Sequence, residues 1–132
     1  MDVNQVQYLL RSRFLRGCRY IGSAETGKIV AGLAGQNMVK ATFELGGNDP
    51  FIVFKDANID KAVEAAYVSR MHCNAQATVN AKRFIVHDEV YDLFKNKLLE
   101  YIEEHTVIGD PFDLKTTFGP MGKKRTLDTM RK

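Results

Sequence analysis

The sequence predicts an α/β fold of three layers around a largely parallel sheet. Segments with apolar residues at helical spacing alternate with short strand-like runs along the 132 residues, as in chains built from βαβ units. One run, residues 51–54, is apolar without alternation, which is typical of a strand buried on both faces. With 45% hydrophobic and 27% charged residues, the chain has the composition of a soluble globular domain or of a piece of one.

Three elements are predicted in the first part of the chain. The first is a short helix within residues 3–11, and the second is a strand at residues 18–21. The third is a helix over residues 24–33, which Gly35 and the polar residues after it should end. The apolar stripes that indicate the two helices consist of Val6, Leu9 and Leu10, and of Ile29, Val30 and Leu33.

Residues 39–45 alternate between apolar and polar, which predicts a half-buried strand. Its apolar face holds Val39, Ala41, Phe43 and Leu45, and its polar face holds Lys40, Thr42 and Glu44. Gly46 and Gly47 then turn the chain. Glu44 is therefore expected on the polar face at the very end of this strand.

The second half continues the alternation of helices and strands. Asn58 is expected to cap a helix that runs to about His72, because its side chain can accept a hydrogen bond from the first turn. Residues 74–81 are small and polar and are expected to begin another short helix. A strand at residues 84–86 and a long helix capped by Asp88 follow. The stripes that indicate the two longer helices are Ile59, Val63, Ala66 and Tyr67, and Val90, Tyr91, Phe94, Leu98, Tyr101 and Ile102.

Charge and cysteine content argue against several classes of protein. The formal net charge of +3 is too small to indicate a nucleic-acid partner, and the run Lys123-Lys124-Arg125 is typical of a solvated helix start. Cys18 and Cys73 lack metal or redox spacing, so free thiols in a reducing cytoplasm are expected. The first residues lack a signal peptide's basic and apolar regions, and no apolar run is long enough for a membrane span.

Two segments could carry chemistry. Gly22 to Gly27 lies at a strand-to-helix junction, where free backbone N–H groups suit a phosphate, although the pattern alone favours a simple glycine turn with Ser23 as helix cap. Glu44 at its strand end is either a solvent-facing acid or a general base with room to swing beside two glycines. His72 and His87 have no partners at metal-ligand spacing, so no metal site is expected.

The segment Glu44-Leu45-Gly46-Gly47 resembles the E-L-G-G segment of the aldehyde dehydrogenase family. Residues 76–83, Gln-Ala-Thr-Val-Asn-Ala-Lys-Arg, are similar to that family's nucleophile segment, G-Q-x-C followed by small residues and an arginine. The resemblance places Thr78 on the catalytic cysteine, 34 residues after Glu44 as in the family, and Ala75 on the glycine before Gln76. Thiol chemistry at position 78 is therefore not available.

The resemblance implies oxidation of an aldehyde to a carboxylate with NAD or NADP. The residues of the matching segments are most similar to the succinate-semialdehyde dehydrogenase branch. It assigns Glu44 as general base and Thr78 to the nucleophile position. The residues that it implies for cofactor binding are Gly22, Ser23, Gly27, Leu45 and Gly46. Cys73 lies five residues before Thr78 and is expected to be a buried structural cysteine rather than a substitute nucleophile.

The resemblance covers nearly the whole chain but only the middle of the family's longer enzymes. It implies that residues 1–45 are the last part of a nucleotide-binding domain and that residues 46–132 are the first part of a catalytic domain. With most of the cofactor and aldehyde sites outside this stretch, the chain is expected to be inactive and to expose apolar faces that drive self-association. The alternative is a non-catalytic remnant that acts as a binding or self-assembly module.

Overall fold

The computed structural model describes residues 3–131 and divides the chain into two compact units, one ending at Gly46 and the other beginning at Gly47. The division predicted after residue 45 falls one residue before this boundary. The assignment of the two parts to a nucleotide-binding and a catalytic domain stays a prediction.

The N-terminal unit is built from two helix–strand pairs. Its elements are α1 (Val3–Leu10), β1 (Gly17–Ile21), α2 (Ala24–Gln36) and β2 (Lys40–Glu44). The strands are parallel, with Cys18 opposite Ala41. Leu10, Val30 and Ala34 are the buried apolar side chains of this unit. The helix α2 thus joins two parallel strands, which is the connection that a parallel pair requires.

The C-terminal unit repeats the plan with longer helices. Its elements are β3 (Asp49–Val53), α3 (Ile59–Met71), a 3-10 turn (His72–Ala75), β4 (Ala81–Val86), α4 (Asp88–His105) and α5 (Lys124–Met130). The strands β3 and β4 are parallel, with Ile52 opposite Ile85. Val53, Val63, Ala66 and Phe94 form the buried core between this sheet and the helices α3 and α4. Burial of a side chain such as Phe94 contributes about 1.5–3 kcal/mol.

The predicted α/β class with parallel strands is confirmed by this architecture. The alternation predicted for residues 39–45 is also confirmed, because Ala41 and Phe43 are half-buried while Thr42 and Glu44 are exposed. Asn58 caps α3 as expected, its Oδ1 accepting a hydrogen bond from Lys61 N at 3.1 Å. In the described part of the chain, no helix combines the length and apolar character needed to cross a membrane.

Three expectations are wrong. The strand β3 is buried on one face only: Val53 is buried, but Ile52 and Phe54 are 55% and 65% exposed because α3 and α4 cover just the Val53 side. The short helix expected to begin in residues 74–81 is limited to a 3-10 turn that ends at Ala75, and residues 76–80 form turns, because the residues before them adopt left-handed conformations that a right-handed helix cannot continue. The cap of α4 is His87, whose ring accepts from Glu89 N, and Asp88 is the first helical residue.

Candidate functional site

The start of α2 presents small residues and a capped helix N-terminus. Ser23 is the N-cap, and its Oγ accepts a hydrogen bond from Thr26 N at 3.3 Å. Gly22 N donates to Glu44 O at 3.0 Å, so the turn before α2 is fixed to the end of β2. A Cβ at Gly22 would lie 2.3 Å from the Tyr20 hydroxyl, so a larger residue there would displace the end of the Tyr20 side chain. The geometry suits an approaching phosphate, although Glu25 in the first turn adds a competing negative charge.

Leu45 packs against α2 at Gly27. Gly27 is buried, and a Cβ there would lie 2.7 Å from Leu45 Cδ2, so the absence of a side chain makes room for Leu45. A Cβ on Gly46 would meet only open space. Four of the five residues predicted to bind a cofactor, Gly22, Ser23, Gly27 and Leu45, thus lie around the junction of α2 and β2 within one unit.

Glu44 stands at the exposed end of β2, as the alternation predicts. Its Oε1 accepts a hydrogen bond from Arg19 Nη2 at 2.7 Å, and both side chains are half or more exposed to solvent. Arg19 on β1 lies opposite Thr42 on β2 and is therefore the diagonal neighbour of Glu44 on the exposed face of the strand pair. An exposed pair of this kind contributes at most about 1 kcal/mol, so it orients the carboxylate more than it stabilises the fold. Sequence analysis did not single out Arg19, which is the one charged residue in the strand predicted at residues 18–21.

Thr78 lies on a turn of the C-terminal unit, with its side chain exposed. The backbone of Gly47 passes so close to this turn that a Cβ there would lie 1.8 Å from the carbonyl oxygen of Thr78. No side chain can occupy that space without moving the backbone. The two segments that carry the family resemblance therefore meet at Gly47 and Thr78 within this unit, whereas Glu44 belongs to the other unit.

A buried amide holds the turn that carries Thr78. Asn80 is 1% exposed, and its Nδ2 donates to Arg70 O at 3.1 Å and to His72 O at 2.9 Å. Lys82 Nζ donates to Ala77 O and Asn80 O at 2.9 and 3.0 Å. These bonds satisfy four carbonyl acceptors on both sides of residue 78 and fix its backbone. Sequence analysis did not single out Asn80. The feature that could have drawn attention to it is a polar residue between two apolar ones, Val79 and Ala81.

The residues before Thr78 are conformationally strained. Cys73, Asn74 and Ala75 have φ of 51°, 54° and 60°, in the left-handed region that disfavours side chains. Two amide side chains in this stretch bind the loop after α4. Asn74 Oδ1 accepts from Gly119 N at 3.2 Å, and Gln76 Oε1 accepts from Gly122 N at 3.0 Å. The loop around residues 119–122 thus compensates for strain in the segment it covers.

The burial expected for Cys73 is wrong. Cys73 is an exposed free thiol because it lies on the 3-10 turn (His72–Ala75) that follows α3, whereas Cys18 is half-buried. His87 caps α4. Within residues 3–131, no group of three or more His, Cys, Asp or Glu side chains is placed to hold a metal ion.

The fold and these segments define the class of the protein. A sequence model of the aldehyde dehydrogenase family matches residues 3–132, and the chain belongs to this family. It is 38% identical, over 97% of its length, to succinate-semialdehyde dehydrogenase [NADP(+)] 1 of Mycobacterium ulcerans, and it covers 28% of that protein.

Solved structures agree with the assignment. The chain is 41% identical to Gox0499, whose structure gives insights into cofactor and substrate selection, and the TM-score is 0.92. The match covers 98% of this chain and 28% of Gox0499. Succinic semialdehyde dehydrogenase from Streptococcus pyogenes in complex with NADP+ is 34% identical with a TM-score of 0.88, over 99% of this chain and 30% of that one. The chain thus spans little more than a quarter of the length of the relatives it matches.

Proposed function

We propose that this chain is part of an NAD(P)-dependent aldehyde dehydrogenase that oxidises an aldehyde such as succinate semialdehyde to its carboxylate. The observation that carries the proposal is the family match over residues 3–132, together with relatives named as succinate-semialdehyde dehydrogenases that use NADP(+). The chain covers only 28% of such a relative. The aldehyde substrate and the cofactor, NAD or NADP, are therefore proposed for the whole enzyme and not for this chain alone.

The proposed cofactor contacts lie at the start of α2 and at the end of β2. Gly22 and Ser23 let an anionic phosphate approach the first N–H groups of the helix, where the positive end of the helix dipole favours it. Gly27 and Leu45 pack the helix against the strand, and Gly46 leaves the adjoining space open. When bound, the nicotinamide supplies the acceptor for hydride.

The catalytic roles that we propose belong to Glu44 and to the residue at position 78. Glu44, at the exposed end of β2, first loses its hydrogen bond from Arg19. It then acts as general base and accepts a proton from the nucleophile or from water. A thiol at position 78 would add to the aldehyde carbonyl, loss of hydride from this adduct to the nicotinamide would leave a thioester, and water would then cleave the thioester to the carboxylate. Threonine offers a far less acidic hydroxyl, so we propose that the chain as it stands does not perform this step.

A second candidate function is a non-catalytic binding or self-assembly module. Two observations favour it: Thr78 at the nucleophile position, and the exposed apolar side chains Ile52, Phe54 and Ile85 on the sheet of the C-terminal unit. Homo-oligomerisation through exposed surfaces is part of this proposal. The free thiols Cys18 and Cys73 support a location in the reducing cytoplasm, which is also proposed.

An activity measurement tests the proposal that this chain is inactive as it stands. The chain is incubated with NAD or NADP and succinate semialdehyde, and reduced nicotinamide is followed by absorbance. Both candidates expect no rate above buffer, because threonine occupies the nucleophile position. A rate that disappears on Glu44→Gln would instead establish the oxidoreductase role for this chain and overturn the remnant proposal.

Thiol labelling tests whether the nucleophile environment is formed. Thr78→Cys is made in a Cys18→Ser, Cys73→Ser background, and its iodoacetamide rate at neutral pH is compared with that of Val79→Cys. Val79 is its exposed neighbour, 70% accessible. An activating site should speed labelling at position 78 at least about tenfold over position 79, because a stabilised thiolate reacts faster than a thiol. Equal rates would mean that this chain does not activate a nucleophile there.

A further inference from the structure

The side chain of Lys82 on β4 reaches back to the turn that carries position 78. Its Nζ donates to Ala77 O at 2.9 Å and to Asn80 O at 3.0 Å. Ala77 O belongs to the peptide that joins Ala77 to Thr78. In a planar trans peptide this oxygen lies about 3 Å from the next Cα, so Lys82 Nζ lies within about 6 Å of Thr78 Cα. The charge of Lys82 is therefore a near neighbour of the residue at the nucleophile position.

The turn that binds Lys82 is itself held in place. Asn80, whose backbone oxygen accepts from Lys82, is 1% exposed. Its side-chain amide donates to Arg70 O and His72 O, which joins the turn to the end of α3. Lysine has a flexible stem that two fixed acceptors confine. The ammonium group of Lys82 therefore keeps a defined distance from residue 78.

Positive charge predominates around this turn. Arg70 of α3 donates to the carbonyl oxygens of residues 75 and 81 at 3.5 and 3.3 Å, and Arg83 of β4 donates to a carbonyl oxygen just before β3 at 3.1 Å. The paired strand β3 brings one carboxylate, Asp49, opposite Ala81 in the sheet register. Among the described residues, Lys82, Arg70 and Arg83 have no ion-pair partner. A negative charge formed on residue 78 would thus meet a cation that no carboxylate has neutralised.

The charge of Lys82 exceeds what the turn requires. The two carbonyl oxygens need donors, and a neutral amide would supply them as well as an ammonium group does. The other titratable side chains between residues 72 and 81 are His72 and Cys73, and the loop at residues 119–122 brings no charged side chain. Lys82 is therefore the group in this segment whose charge has a further use open to it.

We propose that the ammonium group of Lys82 stabilises the ionised nucleophile at position 78. Lys82 acts through residue 78 and is therefore a positioning residue. A nearby cation favours the charged form of an acid, here a thiolate over a thiol. The inference rests on the proposed nucleophile role of position 78 in the whole enzyme. The hydroxyl of Thr78 keeps its proton at neutral pH, so the test restores a thiol.

The pH profile of thiol labelling tests the proposal. Thr78→Cys in the Cys18→Ser, Cys73→Ser background is labelled with iodoacetamide from about pH 6 to about pH 10, with and without Lys82→Gln. Glutamine keeps an amide donor for the carbonyl oxygens and removes the charge. The midpoint of the profile should rise by about 0.5–1 pH unit in Lys82→Gln, because the thiolate loses a neighbouring cation. The plateau rate at high pH should stay within about threefold, since nucleophilicity changes little with thiol pKa.

Three controls separate charge from structure. Lys61→Gln removes an exposed lysine at the opposite end of α3 and should leave the midpoint unchanged. Lys82→Arg keeps the charge and should hold the midpoint within about 0.3 pH unit of the Lys82 protein. Raising NaCl from about 50 to 500 mM should raise the midpoint of the Lys82 protein, because salt screens exposed charges. This last measurement is independent of how well the glutamine variant folds, and circular dichroism reports the folding of each variant.

The possible results distinguish this inference from the proposed function. An unchanged midpoint in Lys82→Gln, an equal shift in Lys61→Gln, or no effect of salt removes the role of Lys82. If Thr78→Cys then still labels faster than Val79→Cys, the nucleophile environment stands without Lys82. A lower plateau with an unchanged midpoint would mean that Lys82 only supports the turn. A midpoint for Thr78→Cys equal to that for Val79→Cys removes both the activating environment and this inference.

Discussion

At the scale of single residues, the segment before position 78 holds an alanine in a conformation that glycine adopts more easily. Ala75, which the sequence resemblance places on the family's glycine, has a φ of 60°. Side chains in this region cost about 1–2 kcal/mol because Cβ approaches the following carbonyl oxygen. The surrounding hydrogen bonds of Asn74, Gln76 and Asn80 hold the strained conformation in place.

Ala75→Gly should therefore stabilise the chain. The relief of the left-handed strain exceeds the added entropy of the unfolded glycine, and the free energy of unfolding should rise by about 0.5–1 kcal/mol. Urea unfolding measures it. Ala77→Gly is the control, because Ala77 does not have a positive φ and the substitution should lower the free energy of unfolding by a similar amount. Destabilisation by both variants would mean that position 75 is not strained.

At the scale of elements, capping residues in the sequence predict where helices begin. Ser23 and Asn58 were recognisable as caps, and both accept a hydrogen bond from the N–H three residues later. The cap of α4 was assigned to Asp88 but is His87, because the imidazole of His87 accepts from Glu89 N and leaves Asp88 helical. An acid is favourable either as cap or in the first turn, so its presence does not distinguish the two positions.

Asn58→Ala should lower the free energy of unfolding by about 1 kcal/mol. The substitution removes the acceptor for Lys61 N, which lies 3.1 Å from Asn58 Oδ1, and leaves an N–H of the first turn unpaired. Asn58→Asp is the matched control and should retain at least the original stability, because a carboxylate accepts the same hydrogen bond and interacts favourably with the helix dipole. Urea titration followed by circular dichroism compares the three proteins. An alanine variant as stable as the original would mean that the cap contributes nothing to α3.

At the scale of the whole molecule, the chain buries one face of the β3–β4 sheet and leaves the other open. Val53 points into the core with Val63, Ala66 and Phe94. On the opposite face Ile52 and Ile85 lie side by side in the sheet register and are both about half exposed. An apolar sheet face of this kind favours association with other chains.

Ile52→Thr/Ile85→Thr should change the free energy of unfolding by less than about 0.5 kcal/mol per site while reducing light scattering in concentrated solution. Val53→Thr, one residue away but buried, should cost about 1–3 kcal/mol because a hydroxyl enters the core without a partner. If the exposed pair destabilised the chain as strongly as the buried site, the outer face would have to be covered in solution.

The sequence by itself determined the alternation of helices and strands, the placement of Glu44 on the polar face of β2, and the family. Each of these follows from local patterns, the period of apolar residues and the spacing of short motifs. The tertiary structure decided what depends on contacts between distant residues. Arg19 pairs with Glu44, Gly47 touches the backbone of Thr78, Asn80 fixes the turn, and β3 is covered on one face only. Sequence periodicity predicts which side chains share a face, but only the packed chain decides which of those faces is covered and by what.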